Sequence, residues 1–186
     1  GRSGALRTSR GETLLEFRPE VFGRTPDRFV LMVPRAELHE ALLDSLGRDA
    51  VRTGAECATI RPDATARFVD GTEARGDVLI GADGLRSTVR AALFGVSAPR
   101  YAGYTAWRGV TNSIPARLAE GETWGCGQRF GHAVMSGGRV YWYATENVPE
   151  GRGAPPEGRK AHLLSLFRGW HEPIEELIRT TVESAI

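Results

Sequence analysis

Residues 77–90 read DVLIGADGLRSTVR. The unbroken apolar run Val78, Leu79, Ile80 predicts a strand covered on both faces, as a parallel sheet requires. It stops at a Gly81-Ala82-Asp83-Gly84 corner, after which Ser87 is suited to cap a helix running to about Phe94, with Gly95 closing it. The acid between two glycines has two readings. At the carboxyl edge of a sheet, where open α/β folds form their ligand crevice, the glycines allow close approach and unusual dihedrals. The carboxylate, which accepts but does not donate, would meet hydroxyls such as those of a ribose or ribityl chain. Alternatively the corner is a tight strand-to-helix turn in which Asp83 caps local amides.

Upstream, the short apolar runs Thr13–Phe17 (TLLEF) and Arg28–Val33 (RFVLMV) read as strands. A helix is expected from Pro34, with Leu38, Leu42 and Leu46 recurring on one face and Gly47 as the stop. Val51–Arg61 reads as a strand kinked at Gly54, and Thr65–Val69 and Thr72–Arg75 flank Asp70-Gly71, a strong hairpin signal. Beyond Pro99, Tyr101–Val110 and Val140–Thr145 are aromatic-rich with partial alternation, which predicts an antiparallel sheet with one wet face. Glu150–Gly158 is a loop by composition. Two helices are expected to end the chain, one from Lys160 to about Trp170 and one opened by Pro173 with Ile174, Leu177 and Ile178 on one stripe. The fold class is therefore α/β with mixed α+β character. An α/β part covers residues 1–98, and an antiparallel layer with terminal helices covers 99–186.

The 186 residues suffice for one good-sized core or two small ones. With 24 basic and 23 acidic residues interspersed, the chain has no basic stripe, which argues against nucleic acid as a partner. Cys57 and Cys126 lack any C-x-x-C spacing and read as two free thiols of an intracellular protein, a single disulfide having no support. His39, His132, His162 and His171 share no metal-ligand spacing, so no metal site is expected. No window approaches the ~20 apolar residues of a membrane helix, and GRSGALRTSRGE lacks the apolar core of a secretory signal. A cytoplasmic protein without a membrane partner is expected. The chain begins without Met, which points to a piece of a longer protein.

The string GADGLRSTVR closely resembles the Asp-Gly motif, G-A-D-G-x-x-S-x-V-R, of the flavin-dependent monooxygenases, a family that includes the aromatic-ring hydroxylases. That resemblance implies FAD and a nicotinamide cofactor, with Asp83 on the flavin side and Ser87 and Arg90 fixing the turn and helix. VPRAELHEALLDSL looks like the family's Arg-x-x-Leu-x-x-x-Leu helix, which implies that Arg35 reaches toward FAD while Leu38 and Leu42 form the helix core. An arginine fork suits phosphate or flavin oxygens, although an arginine at a helix start is more often a solvated surface residue. GAECATI looks like the edge strand whose main chain meets adenine near Cys57.

YAGYTAWRGV, GQRFGH and GGRVYWYATENVPEG resemble the substrate-domain sheet of the subgroup holding urate, salicylate and related hydroxylases and zeaxanthin epoxidase. The resemblance implies that Arg129 and Tyr141, and Arg108 at another pocket position, face the substrate. Cation and phenol together would bind and polarise an anionic, electron-rich ring. Tyr141, Trp142 and Tyr143 are equally readable as strand aromatics that pack the sheet.

Two family features are missing from the sequence, the G-x-G-x-x-G turn that receives the FAD pyrophosphate and the later Gly-Asp segment. The chain is accordingly expected to be the central part of an FAD-dependent, NAD(P)H-consuming monooxygenase acting on a small aromatic or heteroaromatic molecule, inactive by itself. The competing expectation is an inert module of the same fold without bound flavin; a related halogenase or reductase is a third. Flanking segments, a second copy of the chain or a rearranged fold are expected to cover the strand at Val78–Ile80.

Overall fold

The computed structural model describes residues 4–17, 32–116, 118–153 and 155–186. Its strands are β1 (Gly4–Thr8), β2 (Thr13–Phe17), β3 (Cys57–Arg61), β4 (Thr65–Phe68), β5 (Glu73–Arg75), β6 (Tyr104–Thr111), β7 (Gly121–Trp124), β8 (Gln128–Val134) and β9 (Val140–Asn147). Its α-helices are α1 (Arg35–Leu46), α2 (Thr88–Phe94), α3 (Arg159–Leu166) and α4 (Ile174–Thr180). The fold is mixed α/β and divides into two units, Gly1–Leu38 with Ala102–Ile186, and His39–Tyr101.

In the first unit a six-stranded sheet runs in the order β2-β1-β7-β8-β9-β6, antiparallel except where β1 lies parallel to β7. Alternation along β9 sorts its side chains, so that Val140, Trp142 and Ala144 are fully buried while Tyr141, Tyr143 and Thr145 lie on the other face. Phe130 of β8 joins the buried side, stacked on Trp142 at 5.4 Å and edge-on to Phe167 at 5.3 Å. Leu163 from α3 and Ile174, Leu177 and Ile178 from α4 close this core, as the expected stripe on the last helix requires. The Trp142 indole N–H donates to Thr181 Oγ1 at 2.8 Å, and that hydroxyl donates to the Leu177 carbonyl at 2.7 Å, so the buried polar atoms are paired. Phe130 is fully buried, and Phe130→Ala is expected to cost ~3–5 kcal/mol, read from urea unfolding followed by circular dichroism.

His132 also lies on the buried side of β8. Its Nε2 donates to the Ala119 carbonyl at 3.2 Å, and its Nδ1 has no partner among the described residues. Burial pushes its pKa down from 6.5 to about 4. The unfolded chain therefore takes up a proton below 6.5 that the native ring refuses, and stability falls as pH drops from 6.5 to about 4. The loss expected from this group is about 3 kcal/mol. Chemical denaturation at pH 7 and pH 4.5 should show a shallower fall for His132→Gln than for the unaltered chain.

The second unit carries a three-stranded antiparallel sheet, β3-β4-β5. The expected Asp70-Gly71 hairpin joins β4 to β5: Gly71 adopts φ 82°, and Asp70 Oδ1 accepts from the Thr72 amide at 2.9 Å. Arg52 braces the turn with a 2.8 Å ion pair to Asp70. Ser87 caps α2 and Gly95 closes it, as its sequence signals indicate.

Several expectations are corrected. Val78–Ile80 forms no strand; Val78 and Ile80 are 76% and 84% exposed, and no described strand pairs with them. A run of this kind becomes a strand only when neighbours supply backbone partners, which local sequence does not encode. The strand read as Val51–Arg61 starts at Cys57, because Gly54 at φ 71° turns the chain instead of merely kinking a strand. Leu38, Leu42 and Leu46 do share α1, yet no residue of that helix is buried, so Leu38 and Leu42 are not helix core. The helix expected to reach Trp170 ends at Leu166, with Trp170 packed edge-on to Phe167 instead. Of the strand read at Arg28–Val33, residues 28–31 lie outside the described residues, and Met32 and Val33 belong to no strand. The polar start also concealed β1, whose alternation is weak and which is held by pairing on both edges.

Candidate functional site

Asp83 is the residue on which the two readings of the glycine corner turn. Its Oδ1 accepts from the Ser87 hydroxyl, and its Oδ2 accepts from the Val89 amide at 3.2 Å. Ser87 Oγ in turn accepts from the Arg90 amide at 2.9 Å. These bonds, led by the one from Ser87, hold the Asp83 carboxyl below its ordinary range. At Gly81 an added Cβ would lie 2.6 Å from a Val89 methyl, so glycine is required where the backbone meets α2. The capping role is thus realised. It also leaves room for a ligand: an ionised carboxylate accepts about four hydrogen bonds, two are used here, and the side chain is exposed. The remaining lone pairs fit a hydroxyl-bearing chain such as the ribityl of FAD.

Arg35 opens α1 and is exposed; the first turn it belongs to is tied down by an ion pair of Glu37 with Arg139 at 2.8 Å. Cys57 begins β3, the edge strand of the small sheet, and its half-buried thiol donates to the Thr59 carbonyl at 3.6 Å. An edge strand has backbone groups on its outer side without a ladder partner, which suits a main-chain contact with a base. Cys126 is an exposed free thiol.

Arg108, Arg129 and Tyr141 come together on the face of the six-stranded sheet opposite its core. Register settles this: Arg108 pairs with Tyr143, Arg129 with Thr145, and Ala133 with Tyr141, all outward positions. The Arg129 guanidinium lies 5.9 Å from the ring centres of both Tyr104 and Trp124. The Tyr141 and Tyr143 rings are 6.3 Å apart. The Trp124 indole N–H donates to Glu122 Oε1 at 2.6 Å, and the Tyr143 hydroxyl is turned toward the same carboxylate. Burial first, and then Glu122, push the Tyr143 phenol well above its ordinary pKa, so it stays protonated at any working pH. The result is an aromatic floor bearing two guanidinium groups, suited to a flat anionic ring. Glu122, Trp124, Tyr104 and Tyr143 were missed in the sequence; the alternation of GETW and of VYWYATEN is the signal that groups them with Arg129 and Tyr141.

A cleft of about 220 Å³ on the helix side of β6 does not compete as a site. His162, in its wall, sits between Glu146 at 2.9 Å and Glu157 at 3.1 Å, and Arg152 pairs with Glu146 at 3.0 Å, so both of these groups already have carboxylate partners. Among the described residues no cluster of His, Cys, Asp or Glu could hold a metal ion, and no helix is long and apolar enough to cross a membrane.

Comparison with known proteins places this architecture. No family model matches the chain. It is 40% identical over 190 aligned positions to the aurachin C monooxygenase/isomerase of Stigmatella aurantiaca, covering 100% of this chain and 49% of that protein. To the FAD-dependent urate hydroxylase of Klebsiella pneumoniae it is 38% identical over 154 positions, 78% of this chain and 40% of that protein. The crystal structure of Klebsiella pneumoniae HpxO complexed with FAD and uric acid matches with a TM-score of 0.83 and 33% identity, over 98% of this chain and 49% of that one. The fold is that of FAD-dependent monooxygenases. The chain belongs to the FAD-dependent monooxygenase family, and it spans half or less of the length of these relatives.

Because Ser87 links the Asp83 carboxylate to the helix amides, Ser87→Ala should lower the thermal stability of the second unit by about 1 kcal/mol. Hydrogen exchange should locate the loss at the Val89 and Arg90 amides, while β8 and β9 keep their protection.

Proposed function

We propose that the chain is part of a cytoplasmic monooxygenase that uses FAD, NAD(P)H and O₂ to hydroxylate an aromatic or heteroaromatic small molecule. The observation that carries this reading is the grouping of Arg108, Arg129 and Tyr141 on one exposed sheet face, in a chain 33% identical to a protein whose structure holds FAD and uric acid. A planar anion lies across the aromatic floor, and the Arg129 fork binds its oxygens or ring nitrogens by charge-assisted bonds. Tyr141 orients the ring through its hydroxyl, and Arg108 adds positive charge that stabilises the ring's deprotonated, electron-rich form, which electrophilic hydroxylation needs.

FAD, when bound, takes two electrons from NAD(P)H and activates O₂, so that one oxygen atom enters the ring and the other leaves as water. Asp83 would accept from the hydroxyls of its ribityl chain, Arg35 would meet phosphate or flavin oxygens, and the main chain at Cys57 would meet adenine. The inert module is the second reading. It is favoured by the use of both Asp83 carboxylate oxygens in capping α2.

Titrating FAD into the chain and following flavin fluorescence separates the two: quenching at micromolar protein supports a flavin site, and unchanged emission supports the inert module. In the protein that carries this segment, Arg129→Gln should lower kcat/KM for an anionic aromatic substrate such as uric acid by about tenfold or more, while Arg129→Lys recovers part of it. An unchanged kcat/KM would remove Arg129 from the site.

A further inference from the structure

Glu122 is an acid set among the cations of the sheet's outward face. Register lines up Glu122 of β7, Gly131 of β8, Tyr143 of β9 and Arg108 of β6 in a single row across four strands. Gly131 is bare because the Tyr143 ring occupies the space: an added Cβ would lie 2.3 Å from ring carbon Cε1 and 2.6 Å from the hydroxyl oxygen. The ring thus lies flat across β8 and delivers its hydroxyl to Glu122. From the other side, the Trp124 indole N–H reaches the same carboxylate at 2.6 Å. Arg129, diagonal to Glu122 on the adjacent strand, is its neighbouring cation, yet neither Arg129 nor Arg108 forms an ion pair among the described residues. Arg129 rests on the rings of Trp124 and Tyr104 instead.

We propose that Glu122 is the positioning residue of this face: its carboxylate fixes Tyr143 and Trp124 as floor and wall, and the Arg129 guanidinium is thereby kept on ring faces and available to an anion. This rests on the reading of the face as a substrate floor. Two neutral donors, Tyr143 and Trp124, engage the carboxylate in directions set by the strands, and no guanidinium is drawn into an ion pair with it. A guanidinium held by ring faces keeps its fork free for a planar anion, whereas one paired to an acid would have to exchange that acid for substrate.

Two measurements test the proposal on the folded chain. The first is spectrophotometric titration of the tyrosines. One of the four, Tyr143, should ionise at distinctly higher pH than the others; Tyr143→Phe should delete that component, and Glu122→Gln should move it to lower pH. A component that stays in place in Glu122→Gln overturns the proposal, and because Gln is nearly isosteric with Glu, circular dichroism should show both variants folded.

The second is equilibrium dialysis with uric acid as an anionic probe. Removing a negative charge from the face would by itself tighten an anion, whereas loss of the posture of Trp124 and Arg129 weakens it. Glu122→Gln is expected to weaken uric acid binding by about tenfold, with Trp124→Phe similar and the double variant little worse than either. Tighter binding in Glu122→Gln assigns the residue a purely electrostatic role and overturns the positioning role. If the unaltered chain fails to bind uric acid while the tyrosine component still shifts, the positioning role of Glu122 stands and the substrate reading fails.

Discussion

Trp142 is the residue on which the larger unit depends. Placed on β9, its ring covers Gly109 of the neighbouring β6, where a Cβ would come within 2.4 Å of the indole, and stacks on Phe130 of β8 on the other side. Its N–H ties the sheet to Thr181 just beyond α4. One side chain therefore bridges three strands and a helix terminus, and burial of so large a ring stabilises the whole arrangement by ~1.5–3 kcal/mol through area alone. The opposite face repeats the device with Tyr143 over Gly131. Glycines in the neighbouring strands accept aromatic rings from β9 on both faces, a pairing known to hold register in sheets.

This inner constraint governs the outer face. Because β9 alternates strictly, fixing Trp142 inward turns Tyr141 and Tyr143 outward, and the ladder then carries Arg129 and Arg108 to the same side. A one-residue slip would exchange core and floor together. The charged and aromatic face is thus a consequence of core packing, and its chemistry can vary residue by residue without disturbing the buried side.

The glycine corner has a structural role, and the proposed flavin contact would use the same carboxylate. Asp83 caps α2 through Ser87 and Val89, and the glycines allow the tight backbone there. Neither role excludes the other, because the carboxylate retains exposed lone pairs. The capping was readable in the residue types at their spacing, since the bonds run between residues four and six positions apart. The same locality made the Asp70-Gly71 hairpin and the ends of α2 legible.

By itself the sequence determined what depends on near neighbours: hairpin, caps, the alternation of β9 and the buried stripe of α4, together with the motifs that carry the family resemblance. It also supplied Arg108, Arg129 and Tyr141, though through that resemblance and not through any local rule. Tertiary structure decided the rest. It placed β1 beside β7 across more than a hundred residues, left Val78–Ile80 without a strand partner and α1 without a buried face, and brought Glu122, Trp124 and Tyr104 to the side of Arg129. The physical reason is that strand pairing and side-chain contact across a sheet are free-energy terms between distant segments, which no window of neighbouring residues contains.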